Sequence, residues 1–321
     1  MTQVYYDLAS FSQLVIDTAV TIGNFDGVHF GHQQLISKLK IAAQTRNLPS
    51  VVIIFEPHPY VFFHRQQSFK QIMSLDIKIA TLVQLGVDYV LCLKFDDYLA
   101  NLSAQDFINK ILVQGVHTKY LLVGDDFHFG YQRLGDFALL REQAMQCNYT
   151  VEAITSVFIN SDRVSSRNIR ASLTDKQINS ANTALGRVYT MQGEIIRGQQ
   201  LGRKLGYPTA NIAVTPSLLL LPYGIYSVRA RILGDNKYPN LINAIASLGI
   251  RPTVTDDQIC LLEVHLFDFS DDIYNLTMQV EFYSWIRSEQ KFDSLTDLTQ
   301  QIARDVAKAR AYFQKVEALH D

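Results

Sequence analysis

Cysteine is scarce. Cys92, Cys147 and Cys260 stand alone, odd in number, with no CxxC pair. That excludes a disulfide framework and a thiolate zinc site, and it predicts a reducing, cytoplasmic setting. Neither sign of charge is in excess: 29 Lys and Arg face 31 Asp and Glu, for a formal net charge of −2. No basic field therefore predicts a nucleic-acid partner. Long apolar runs are missing as well. Val51-Val52-Ile53-Ile54-Phe55 and Leu218 to Leu221 are far too short to cross a bilayer, so no membrane partner is expected. The opening MTQVYYDLAS lacks the basic-then-apolar form of a signal peptide. What is present is an ordinary globular composition, 48% hydrophobic and 19% charged over 321 residues, enough for two domains with a core each.

The first half alternates between two hydrophobic periods. Strand-like runs fall near 18–22, 50–55, 88–93, 119–123 and 149–154, with helical periodicity over 32–44, 75–85, 103–114 and 136–147. Ser103 and Asp136 are suited to cap the last two helices. A βαβα rhythm implies a mostly parallel, doubly wound sheet, which binds ligands beyond the carboxyl ends of its strands. Two short helices are expected over 166–173 and 175–184. Glycines then crowd together at 186, 193, 198, 202 and 206, and short alternating runs follow: Tyr223 to Leu233, Leu241 to Ala246, Leu261 to Phe267 and Thr277 to Tyr283. These read as a β-barrel or sandwich, closed by an amphipathic helix from Ser294 to Glu317. The boundary is expected near 185, giving domains 1–185 and 186–321.

After the first strand comes Gly23-Asn24-Phe25-Asp26-Gly27-Val28-His29-Phe30-Gly31-His32. Residues i and i+3 share a helix face, and at a first turn they stand beside free backbone N–H groups. Gly27 and Gly31 allow a tight turn and the close approach of a bulky anion, which suits phosphates. A bare HxxH is commonly just two polar residues at a helix start. A zinc pair is a rival, but it lacks HExxH, and only His58 offers a third ligand.

In the second half, residues 193–211 hold a glycine-rich stretch with Arg203 and Lys204, which can fold over a polyphosphate although it is no Walker A motif. Thr209 and Asn211 offer neutral oxygens on one side of an extended chain, suited to a magnesium ion whose charge the nucleotide balances. Alternation puts Leu262, Val264 and Leu266 on one face and Glu263 and His265 on the other. A strand-borne carboxylate can take the proton of an alcohol during phosphoryl transfer. The plain alternatives are a β-turn segment with a solvated basic pair and a solvent-facing glutamate.

The string GNFDGVHFGH resembles the HxGH motif of nucleotidylyltransferases. Phe55-Glu56-Pro57-His58-Pro59, Val123 to Gly130 and Val164-Ser165-Ser166-Arg167-Asn168-Ile169-Arg170 extend the resemblance to the bifunctional riboflavin kinase/FMN adenylyltransferase family. So do Pro208-Thr209-Ala210-Asn211, Pro222-Tyr223-Gly224, Leu248-Gly249-Ile250-Arg251-Pro252-Thr253 and Trp285-Ile286-Arg287-Ser288-Glu289-Gln290-Lys291-Phe292. Departures are His128 for a common Arg, Arg167 for Thr in SSTxIR, and Asn275 for Gly after Tyr274, where Asn suits a left-handed turn.

This resemblance implies a Rossmann-like domain followed by a six-stranded barrel with a C-terminal helix. It implies that ATP phosphorylates riboflavin to FMN and then adenylylates FMN to FAD, with magnesium. His29, His32 and Arg170 would stabilise the adenylyl transition state. Gly23, Asn24, Phe25, Gly27, Gly31, Ser165 and Ser166 would hold its phosphates. Gly198, Arg203, Lys204, Gly206 and Pro208 would hold ATP in the kinase half. His58, Pro59, Asp126, Phe127 and Arg287 would contact flavin. Thr209 and Asn211 would hold magnesium, and Glu263 would be the kinase base. The expected partners are these small molecules, and self-association is undecided. Other readings stay open: loss of one activity at Arg167 or Asn275, a flavin-binding regulator without turnover, and a metal hydrolase on the three histidines.

Overall fold

A computed structural model describes the whole chain except residues 65–68, 160–161, 199–200, 235–236, 253–257 and 319–321, together with the side chains of 201, 251–252 and 258–259. By contact it forms two compact units, Met1–Phe69 with Ser74–Ser166, and Lys70–Met73 with Arg167–Asp321.

The first unit holds a parallel sheet of six strands: β1 (Gln3–Tyr5), β2 (Thr18–Ile22), β3 (Ser50–Glu56), β4 (Tyr89–Lys94), β5 (Thr118–Gly124) and β6 (Thr150–Ile154). Their order is β1-β4-β3-β2-β5-β6, and all neighbours run parallel. Val51 to Ile54 are completely buried, as a central strand covered on both faces requires. The helix Phe30–Thr45 buries Leu35, Ile36, Leu39 and Ala43, at roughly 1.5–3 kcal/mol for each large side chain. The chain runs β2, β3, β4 towards one edge and then returns to place β5 on the other side of β2. The order therefore reverses between β2 and β5, the place where such sheets open a crevice at their carboxyl ends. A two-stranded hairpin, β7 (Phe158–Ile159) and β8 (Asp162–Arg163), follows.

The second unit is a closed antiparallel barrel of β9 (Tyr189–Ile196), β10 (Ala210–Val214), β11 (Gly224–Leu233), β12 (Ile242–Pro252), β13 (Gln258–Leu266) and β14 (Thr277–Ser288), in the order β10-β13-β12-β11-β14-β9. Its interior is apolar, with Tyr226, Val228, Leu248, Leu262, Val264, Val280 and Phe282 among its residues. The helices Ser166–Thr174 and Ile178–Leu185 bury Ile169, Leu173, Ile178, Ala181 and Leu185 in that same cluster. The change of composition near 185 thus falls inside the second unit as contacts draw it. The C-terminal helix Leu295–Glu317 adds Ala309 and Phe313 to a smaller cluster with Ile245 and Phe267.

The strands β2 to β6 and β11 to β14 and the long helices lie near the runs read from the sequence, whereas β1, β7, β8, β9 and β10 have no counterpart among those runs. Asp136 caps its helix through Leu139 N at 2.9 Å. Ser103 caps a single turn, Ala104–Asp106, which continues as a π-helix, Phe107–Val113. Asn275 has φ +62°, the left-handed conformation expected where the family has glycine.

Candidate active sites

The loop leaving β2 is bent by three residues with positive φ: Phe25 at +47°, Gly27 at +86° and Val28 at +37°. For Phe and a β-branched Val this conformation costs on the order of 1–3 kcal/mol each. Packing holds it in place, since Phe25 and Val28 are 1% and 0% exposed. Gln33 Nε2 also donates to Val28 O at 2.9 Å. The bend delivers His29 to the N-cap of the helix Phe30–Thr45, where its Nδ1 accepts from His32 N at 3.3 Å. Because Nδ1 is the acceptor, a proton on this imidazole sits at Nε2. The rings of His29 and His32 stack with centroids 3.6 Å apart and planes 14° from parallel, and Phe25 packs on His32 at 4.9 Å. A Cβ at Gly31 would press on the His29 ring at 3.3 Å, so glycine there gives the ring its room. Ser166 Oγ donates to Asp26 O at 2.7 Å and ties the loop to the distant segment that carries Ser165 and Ser166.

Phe25, His29, Gly31, His32 and Ser166 line a cavity of about 630 Å³ among the loops that leave β2, β3, β5 and β6. Gly23, Asn24, Phe25, His29, Gly31, His32, His58, Pro59, Asp126, Phe127, Ser165 and Ser166 all face it. The sequence singled out each of them. Gly27 supplies the turn and is not in the wall. Arg170 is not among the lining residues. It falls in the second unit, where its Nε donates to Lys70 O at 2.9 Å. His58 caps the helix Pro59–Phe63, accepting from Tyr60 N at 3.1 Å. Among the described residues no group of three His, Cys, Asp or Glu side chains is placed to hold a metal, which leaves the three-histidine zinc reading without a site.

The sequence reading passed over the apolar side of the cavity: Tyr60, Phe63, Phe95, Phe107 and Phe129. Its signal was the aromatic run Pro59-Tyr60-Val61-Phe62-Phe63. Also missed was a buried group of charges behind the loop. Lys78 and Asp26 are each 2% exposed. Burial pushes the Lys78 ammonium down, while Asp26 and Glu56 oppose that shift. Burial pushes the Glu56 carboxyl up against the pull of Lys78. The signal was a lysine at an apolar position of its helix, between Leu75 and Leu82.

The second constellation lies on the outer face of the barrel. Register pairs Asn211 on β10 with Glu263 on β13, and Glu263 with Ser247 on β12. Leu262 and Val264 point inward, fully buried, so Asn211, Glu263 and Ser247 share the opposite face. Asn211 is only 4% exposed, and its Oδ1 has no hydrogen-bond partner among the described residues. A Cβ at Gly198 would collide with the Asn211 amide. The Pro208 carbonyl, next to Thr209, accepts from His265 Nδ1 at 2.8 Å. Arg203 and Lys204 are exposed in the last turn of the helix Leu201–Lys204, and Gly206 turns the chain with φ +84°. Gln199, Gln200 and Thr253 lie outside the described residues. The run Trp285 to Phe292 holds one further carboxylate. Glu289 sits against Gly249, where any Cβ would collide with it. Burial and the nearby Glu263 push its carboxyl up, with Arg287 opposing.

Two family models match in succession, FAD synthetase over residues 12–168 and riboflavin kinase over 185–313. The bifunctional riboflavin kinase/FMN adenylyltransferase of Haemophilus influenzae is 39% identical over 311 residues, 97% of this chain and 99% of that one. The enzyme of that name from Escherichia coli K12 is 40% identical over 294 residues, covering 92% of each. A crystal structure described as a macrolide-efflux protein from Streptococcus pneumoniae superposes with a TM-score of 0.82 at 28% identity, covering 96% of this chain and 98% of that one. No helix among the described residues is long and apolar enough to cross a membrane. With both models matched in order and relatives aligned along nearly their whole length, the chain belongs to the bifunctional riboflavin kinase/FMN adenylyltransferase family.

Proposed function

We propose that the chain converts riboflavin to FAD in two ATP-dependent steps, with phosphorylation assigned to residues 186–321 and adenylylation to 1–185. The observation that carries this reading is that two sets of residues, far apart in sequence, each come together within their own unit. His29 and His32 stack at the cavity, and Asn211 pairs with Glu263 on the barrel.

In the kinase step Glu263 takes the proton from the ribityl 5′ hydroxyl. The oxygen attacks the γ-phosphorus of ATP, a P–O bond forms, the bond to the bridging oxygen breaks, and ADP leaves. Arg203 and Lys204 draw the polyphosphate under the glycine-rich segment, with Gly198, Gly206 and Pro208 shaping it. Arg287 contacts the flavin. The buried Asn211 Oδ1, without a protein partner among the described residues, fits a hard cation, as does the neutral oxygen of Thr209. Magnesium held there would neutralise charge on the phosphates.

In the second step an FMN phosphate oxygen attacks the α-phosphorus of ATP and pyrophosphate leaves. The nucleophile needs no general base, because a phosphate monoester with a second pKa of about 6 is already mostly ionised. The residues position two anions and offset growing charge. We assign that task to His29 and His32, with phosphate oxygens held by Ser165, Ser166 and the amides from Gly23 to Gly31. The flavin lies toward His58, Pro59, Asp126 and Phe127. We place the enzyme in the cytoplasm, in keeping with its free cysteines.

The test is product identity. Riboflavin with ATP and magnesium should release ADP, and FMN with ATP and magnesium should release pyrophosphate. No consumption of ATP with either flavin would sink the reading in favour of binding without turnover.

A further inference from the structure

The C-terminal helix does more than cover the barrel. Its apolar residues Ala309 and Phe313 provide the cover, yet one turn earlier it buries a carboxylate, Asp305, that is 2% exposed. Burying such a group costs several kcal/mol unless it is fully paired, and an apolar residue in its place is often neutral or better for stability. Cover alone therefore gives no reason for it.

Asp305 is paired through both oxygens. Oδ2 accepts from Arg287 Nε at 2.8 Å and lies 2.8 Å from Arg287 Nη2. Oδ1 accepts from Gln301 Nε2 at 2.9 Å, so the carboxylate is itself held in orientation. Arg287 Nη1 donates to Ser288 O at 2.9 Å, and the guanidinium lies 5.8 Å from the Phe292 ring centre. A guanidinium has five N–H groups. These contacts take three and leave one on each terminal nitrogen, on a side chain that keeps 17% of its surface exposed. Ile225 on β11 pairs with Arg287 on one side and with Ser247 on the other, and Ser247 pairs with Glu263, so Arg287 continues the cross-strand row that carries Glu263.

We propose that Asp305 is a positioning residue for riboflavin phosphorylation: it fixes the Arg287 guanidinium so that its two remaining N–H groups meet the flavin substrate. The inference rests on the reading that Arg287 contacts flavin. It makes the helix Leu295–Glu317 part of the kinase site.

The experiment uses the full chain and separates orientation from folding. Asp305→Asn keeps the shape and removes the charge. Gln301→Leu leaves the charge and removes its clamp. Each folded variant is assayed for riboflavin phosphorylation and, separately, for adenylylation of supplied FMN. Asp305→Asn should raise the KM for riboflavin on the order of ten- to a hundred-fold, the scale of one charge-assisted contact. The KM for ATP and the adenylylation rate should change little. Gln301→Leu should shift the riboflavin KM in the same direction by less. If both variants lower Tm yet keep the wild-type KM and kcat, Asp305 is a fold staple and the inference is overturned. Arg287→Ala separates the two layers. An unchanged riboflavin KM there would overturn the Arg287 assignment itself, whereas a raised KM beside an unaffected Asp305→Asn would overturn only the role of Asp305.

Discussion

His29 and His32 stand three residues apart and stack face to face, 3.6 Å between ring centres, with one ring also capping the helix that carries the other. A single residue thus serves local structure and the candidate adenylyl site together. Replacing His29 by Ala removes both roles, whereas Asn keeps an N-cap acceptor. Both His29→Ala and His29→Asn should lower FMN adenylylation on the order of 10²–10³-fold, the scale of one lost transition-state donor. Recovery of activity in His29→Asn would reduce the residue to a cap.

Gly198 bears directly on Asn211. Because a Cβ at 198 would collide with the Asn211 amide, Gly198→Ala should displace Oδ1 from its buried position. The expected outcome is a kinase half-reaction that needs roughly ten-fold more magnesium or slows by about that factor, with adenylylation of FMN retained. A magnesium titration that matches wild type would remove Asn211 from the proposed cation site.

The cysteines give a check on the two cores. Burial pushes the thiols of Cys92 and Cys260 up to about 11, so at pH 8 both are overwhelmingly thiols, and the thiolate is the reactive form. A chromogenic disulfide reagent at pH 8 should modify Cys147, which is half-buried, much faster than the other two. All three should react in denaturant. Rapid modification of three thiols in the native protein would contradict the burial of Cys92 and Cys260.

How much of this was legible in the sequence depends on how local each signal is. The buried strands β3, β4 and β5 each carry a continuous apolar run, β2 is a short buried run broken by Thr21, and the strand–glycine–helix punctuation around Gly23 to His32 marks its own turn. Asn211 was legible as a neutral oxygen on an extended chain and Glu263 as a carboxylate on an alternating strand. That they are register partners depends on barrel closure, which no local pattern encodes. β9 and β10 were hidden in the glycine-rich stretch, where weak alternation gives way to turn residues. The ties that set the sites rigidly were not legible: Ser166 on Asp26, Asp305 on Arg287 and Lys78 among acidic neighbours join residues far apart in the chain. A buried charge of this kind shows only as a polar residue at an apolar position of a helix.

The central claim is that two separate sites act in succession, and a chromatographic time course tests it most directly. Riboflavin, ATP and magnesium are supplied to wild type, His29→Ala and Glu263→Ala, and flavins are resolved over time. Wild type should form FMN and then FAD. His29→Ala should accumulate FMN, while Glu263→Ala should make FAD only when FMN is supplied. If either substitution abolishes both conversions in a folded protein, or neither affects its own step, the assignment of one site to each unit is wrong.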